Sequence, residues 1–223
     1  MKTPNSIPPI RGLFVTGTDT SVGKTFVTAL LLTELRRRGV RAAGFKPIAC
    51  GTGGRADAKL FASLMDGETT MDEVNPVYMR KPLAPLIAAR LDQKKIDFRK
   101  IFTNFKSLTS RHDFILVEGA GGWLVPITRQ YFVRDLARDL RLPVVIVARP
   151  RLGTLNHTLQ TVEGVRAAKL SVAAIVINDT TGEKPGLAER TNPGALRELT
   201  HLPVFTIGFG ATKAPAALLR MLI

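Results

Sequence analysis

Six short apolar runs punctuate the chain, at residues 13–16, 42–45, 114–117, 144–147, 173–177 and 204–207. They are nearly continuous rather than alternating, the pattern of strands covered on both faces. Between them lie stretches whose apolar positions recur at helical spacing. These predict helices over 24–38, 57–65, 85–91, 98–110, 133–140, 155–169 and 193–199. Strands alternating with helices predict an α/β fold: a mostly parallel sheet with helices on both faces. Gly39 is placed to stop the first helix. Segments 51–56 and 180–191, rich in Gly, Thr and charge, read as the least structured parts. No repeat, low-complexity tract or linker divides the chain, so residues 11–223 read as a single domain. Residues 1–10, MKTPNSIPPI, read as a loose tail.

Open parallel sheets bind ligands beyond the carboxyl ends of their strands, and the polar residues that follow the strands mark the place. After the first run comes TGTDTSVGKT, ending in Gly23-Lys24-Thr25 at the start of a helix. This strand–loop–helix order is that of a phosphate-binding P-loop. Backbone N–H groups and the helix N-terminus offer partial positive charge to a polyphosphate. Lys24 would reach its terminal phosphates, and the Thr25 hydroxyl would take a place on magnesium. Thr18 stands where the simplest pattern has its first glycine, with Gly17 one residue earlier. Asp19 occupies the place of the extra lysine of partitioning ATPases, which weighs against that branch. Lys46 follows the second strand in GFKPIACG, and Pro47 fixes the local path. Glu118 ends the third strand, where P-loop ATPases place an acidic residue near magnesium. Gly119, Gly121 and Gly122 would let the backbone approach phosphate. Asp57, read alone, is an N-cap aspartate.

Composition narrows the classes. The chain has 223 residues, 45% hydrophobic and 22% charged, an ordinary balance for a globular domain. Its apolar runs are too short to span a bilayer, and its start has no apolar signal core. One cysteine, Cys50, excludes an internal disulfide and fits a reducing, cytoplasmic setting. The net charge of +14 is scattered; its densest cluster, Arg36-Arg37-Arg38 with Arg41, complements the first helix's dipole and reads as a solvated face. No aromatic-interleaved basic segment points to nucleic acid. His112, His157 and His201 lack metal-ligand spacing.

VTGTDTSVGKT, GFKPIACG, ADAKL, PLAP, VEGAGGWLVP, LGTLNHTL and VIND occur in that order, and in order and spacing the chain resembles the dethiobiotin synthetases from about Leu13 to Ile207. The resemblance implies ATP- and Mg2+-dependent ring closure of 7,8-diaminopelargonate with carbon dioxide. One amine becomes a carbamate, ATP phosphorylates it to a mixed anhydride, and the second amine closes the cyclic urea. It implies that Lys24 and Lys46 are catalytic, and that Thr25, Asp57 and Glu118 surround magnesium. Ser21, Val22, Gly23, Lys24, Thr25, Phe26, Asp57, Glu118, Gly119, Ala120 and Gly121 would hold the nucleotide phosphates and metal. Asn178, Asp179 and Gly208 would flank the base. Thr20, Lys46 and Cys50 would contact the substrate. In the family the substrate lies at a homodimer interface, so Gly153, Thr154 and Asn156 would bind the carboxylate tail held by the partner subunit.

Three departures stand out. Cys50 replaces a usual serine, Leu86 a frequent histidine, and Thr206-Ile207-Gly208-Phe209-Gly210 a segment that usually carries proline. The last flanks the base, which leaves the choice open to nucleotides other than ATP. A partitioning-type ATPase switch is the alternative reading of the P-loop; a related amide-forming enzyme lacks a glutaminase domain or nucleophilic cysteine motif.

Overall fold

The computed structural model describes residues 11–53 and 55–222; the expected tail, 1–10, lies outside them. Six parallel strands form the central sheet: β1 (Gly12–Gly17), β2 (Ala42–Phe45), β5 (Phe114–Gly122), β6 (Val144–Ala148), β7 (Val172–Asn178) and β8 (Val204–Ile207), in the order β2-β5-β1-β6-β7-β8. A second, two-stranded parallel sheet pairs β3 (Ile48–Cys50) with β4 (Val77–Met79). Residues of β1, β2 and β6 are buried throughout, as a sheet with helices on both faces requires. The core runs from Phe14 and Val15 in β1 through Leu116 and Val117 in β5 to Ile146 in β6, all essentially fully buried. The fold class is therefore the one that the apolar runs predict.

The helices are α1 (Lys24–Arg37), α2 (Ala56–Ser63), α3 (Met71–Val74), α4 (Pro85–Leu91), α5 (Phe98–Arg111), α6 (Val133–Leu140), α7 (Thr154–Ala167), α8 (Leu187–Thr200) and α9 (Ala216–Leu222). Gly39, at φ 80°, closes α1 by donating its N–H to the Arg36 carbonyl at 2.9 Å. Among the described residues, no helix is long and apolar enough to cross a membrane.

Several elements differ from expectation. β5 does not stop at Val117; it runs on through Glu118 to Gly122, because Gly17 of β1 still pairs with Gly122 across a register shift. α8 begins at Leu187, six residues before Pro193, which sits inside the helix. Proline is favoured in a first turn, and that preference misplaced the boundary. Strands β3 and β4, of three residues each, and helices α3 and α9 had no periodic signal long enough to register. The basic cluster is not merely a solvated face either. Arg36 is mostly buried, donates to the Ala42 carbonyl and pairs with Glu68 at 2.6 Å. Arg41 pairs with Asp113 at 2.8 Å.

Candidate active site

The carboxyl ends of β1 and β5, with the segment after β2, open into a cleft of about 700 Å³. Thr20, Ser21, Gly23, Lys24, Thr25, Lys46, Cys50, Asp57, Glu118, Ala120 and Gly121 line it, so most of the sequence-predicted residues meet in one place. The loop Gly17–Gly23 connects β1 to α1. Its Thr18 N–H donates to the Val147 carbonyl at 2.9 Å, which pins the loop to β6. Ser21 and Gly23 have φ of 55° and 88°. A Cβ at Gly23 would lie 2.0 Å from Asn178 Nδ2, and one at Gly17 2.9 Å from Lys24 Nζ. Both positions thus need glycine for close approach. Val22 is buried beneath the loop, and Phe26 packs against the core.

Lys24 Nζ donates to the Asp19 carbonyl at 2.9 Å. Burial pushes its pKa down to about 8, against the upward pull of Glu118. Lys46 is 5% exposed. Its ammonium donates to Glu118 Oε1, lies 3.0 Å from Asp57 Oδ2 and reaches the Gly119 carbonyl at 3.5 Å. Burial works against this charge, but the attraction of Glu118 and Asp57 outweighs it and the pKa lies above the ordinary lysine value. Asp57 does not cap α2; Arg55 holds the N-cap position, and the Asp57 carboxylate turns to Lys46 instead. Thr25 Oγ1 donates to Glu118 Oε1 at 3.0 Å. Glu118 Oε2 is buried and has no hydrogen-bond partner among the described residues.

That orphaned oxygen, the Thr25 hydroxyl and the Asp57 carboxylate form an all-oxygen donor set of the kind a hard divalent cation takes. The residues present therefore fit magnesium. Cys50 is half-buried, and burial pushes its thiol up to about 11, so it lines the cleft as a neutral group.

A second cleft, of about 620 Å³, lies beyond the ends of β7 and β8. Asp179 and Gly208 line it, together with Thr206, Ile207 and Arg151. Asn178 lies between the clefts. It is 1% exposed, and its Nδ2 donates to the Val22 carbonyl at 3.1 Å, so its amide nitrogen is committed to the phosphate loop.

Gly153, Thr154 and Asn156 are not among the residues lining the main cleft. Gly153, at φ 91°, precedes α7 without a side-chain cap. Thr154 Oγ1 pairs with Thr158, and Asn156 Oδ1 accepts from Gln160 Nε2 at 2.8 Å. Their neighbour Leu152 is 90% exposed. Pro82, Leu83 and Val125 also line the main cleft, although sequence reasoning did not single them out. The PLAP segment was the available signal for the first two. Arg149, which follows the fourth apolar run, was given no role by sequence reasoning; its guanidinium reaches the phosphate loop.

A family model described as an AAA domain matches residues 11–207. Among curated relatives, the ATP-dependent dethiobiotin synthetase of Thermodesulfovibrio yellowstonii is 38% identical, over 88% of this chain and 87% of that one. Its counterpart from Anaeromyxobacter sp. strain K is 42% identical over 86% of each chain. Solved structures similar in fold include a putative plasmid partition protein of Borrelia burgdorferi B31 bound to AMPPNP. It has a TM-score of 0.57 and 13% identity, over 95% of both chains. The septum site-determining protein MinD of Pyrococcus horikoshii has a TM-score of 0.53 at 17% identity, over 89% of this chain and 81% of that one. At these low identities they bear on the fold alone. The sequence relatives, matched over most of both chains, carry the assignment: the chain belongs to the ATP-dependent dethiobiotin synthetase family.

Proposed function

We propose that this chain closes the ureido ring of dethiobiotin from 7,8-diaminopelargonate, carbon dioxide and ATP, as a cytoplasmic homodimer with substrate at the subunit interface. The observation that carries the reading is the pair of buried lysines converging on one cleft, with Lys46 held between Glu118 and Asp57. The reaction gathers a carbamate, a triphosphate and a leaving phosphate, so it needs concentrated positive charge in a site shielded from water.

In this reading a carbamate oxygen attacks the γ-phosphorus and ADP leaves. The second amine then attacks the carbamate carbon, phosphate leaves, and the ring closes. Lys46 contacts the carbamate and the transferring phosphoryl group, and its two carboxylate partners keep it protonated and aimed. Lys24 binds the β- and γ-phosphates. Ser21 to Phe26 supply N–H groups and the helix N-terminus, with Gly119, Ala120 and Gly121 opposite. Thr20 and Cys50 face the diamine. Magnesium, held by Thr25, Asp57 and Glu118, would supply charge neutralisation to the phosphates. The second cleft takes the base along Asp179 and Gly208, with Asn178 behind. Gly153, Thr154 and Asn156 serve the partner's substrate tail.

The purified chain, given diaminopelargonate, bicarbonate, magnesium and ATP, is expected to yield dethiobiotin, read by mass spectrometry. Absence of product from folded protein at saturating substrates overturns the reading. Lys46→Ala should lower turnover by about 10²–10³-fold, the loss typical of a group that stabilises developing charge. Near-normal turnover in that variant would remove Lys46 from the chemistry.

A further inference from the structure

Arg149 follows directly on β6 and belongs to none of the roles above. Its Nη2 donates to the Thr20 carbonyl at 3.0 Å and lies 3.6 Å from Asp19 Oδ2. Asp19 Oδ1 in turn accepts the Thr20 backbone N–H at 2.7 Å. The Thr20 peptide is thus gripped at both ends, its N–H by Asp19 and its carbonyl by Arg149. The grip is registered to the sheet: Gly17 of β1 pairs with Val147 of β6, and the Thr18 N–H donates to the Val147 carbonyl at 2.9 Å. Arg149 stands two residues past that anchor. On the loop's other side, Lys24 Nζ rests on the Asp19 carbonyl at 2.9 Å. One guanidinium therefore braces the residue between the two faces of the loop.

We infer that Arg149 is a positioning residue that fixes the Asp19–Thr20 segment of the phosphate loop, so that Thr20 faces the substrate amines. The inference rests on the reading of Thr20 as a substrate contact. Solvent reaches both partners, with side-chain exposures of 27% for Arg149 and 61% for Asp19, and an exposed pair of this kind adds little to fold stability. Its effect falls on geometry, where small misplacements of a contact group are expensive in rate. The place that holds a lysine in partitioning ATPases holds an acid here, and that acid takes its cation from the loop after β6.

The test measures KM for diaminopelargonate, kcat, binding of a fluorescent ATP analogue and Tm in Arg149→Ala, Arg149→Lys, Asp19→Asn and Arg149→Ala/Asp19→Asn. Arg149→Ala should raise the diamine KM about tenfold, in line with loss of an orienting contact. Tm should move by no more than about 2 °C, as for an exposed pair. Arg149→Lys, which keeps one donor, should recover part of the affinity, and the double variant should be no worse than Arg149→Ala. A diamine KM within twofold of the parent overturns the inference. So does a parallel fall in nucleotide affinity and Tm, which is the signature of a merely structural residue. Thr20→Val separates the two layers. A raised KM in Thr20→Val without one in Arg149→Ala removes the brace and keeps Thr20. The reverse overturns the inference as stated, because Arg149 then acts on the diamine other than through Thr20.

Discussion

Burying a lysine without a matching carboxylate costs stability, and Lys24 shows how the cost depends on pH. It titrates near 10.5 in the unfolded chain and near 8 in the folded one. Between those values the unfolded chain binds more protons, so stability rises with pH there. Below about pH 8 the full penalty of burying the charge is present, on the order of 3 kcal/mol at 1.4 kcal/mol per pKa unit. In the absence of nucleotide, Lys24→Met should melt higher than the parent at pH 7, and the gap should close as pH approaches 10.5. A gap that stays constant over that range would refute the assignment to burial. ATP should reverse the ranking by stabilising only the parent. Much of this arrangement was legible from residues alone: Lys24 and Thr25 by their motif, Lys46 by its place after a strand. Asp57 was not. Position suggested a helix cap, and only the folded path through the left-handed Arg55 turns its carboxylate to Lys46.

Elements were legible in proportion to the length of their periodic signal. The six core strands announce themselves because burial on both faces leaves unbroken apolar runs. The three-residue strands β3 and β4 are defined by pairing with each other, from Ile48 with Val77 to Cys50 with Met79, and pairing is invisible in a local window. Helix α8 shows the opposite failure, a strong local cue at Pro193 overridden by its tertiary setting. The packing of α7 on the loop after β5 makes a sharper case. Gly164 lies within α7, where replacement by alanine would ordinarily gain about 1 kcal/mol of helix propensity. Here a Cβ would come within 2.7 Å of Trp123 Cδ1, and Trp123 is only 4% exposed. A buried indole cannot move aside as a flexible side chain can. Gly164→Ala should therefore lower stability by about 1–3 kcal/mol, the usual range for overpacking, read as a fall in Tm. A rise would mean that the indole has room to shift.

Across the whole molecule, the residues proposed for the substrate tail stand apart from the cleft that holds the lysines. The proposed symmetric dimer would resolve that separation, each copy lending its α7 turn to the other's site. Subunit mixing tests this directly. Lys46→Ala has a disabled cleft and an intact turn; Asn156→Asp has an intact cleft and a turn that repels a carboxylate. Each should be nearly inactive alone. Mixed and allowed to exchange, half of the dimers are hybrids with one competent site, so activity should return to about a quarter of the parent value by symmetry. No recovery, with exchange confirmed by native mass spectrometry, would place the turn in its own subunit's site or outside catalysis.

Asn178 carries a last consequence, for anyone redesigning nucleotide preference. Its position at the end of β7, beside the second cleft, makes it an obvious target for recoding the base. Yet its amide nitrogen supports the Val22 carbonyl, and its Nδ2 fills the space a side chain at Gly23 would take. Replacing it would unseat the phosphate loop, so every variant there would confound any change in base preference with loss of phosphate-loop support. Thr206 and Ile207, on the strand paired with β7, and Gly208 just after them line the second cleft, and a change of side chain there leaves the bond from Asn178 to Val22 in place.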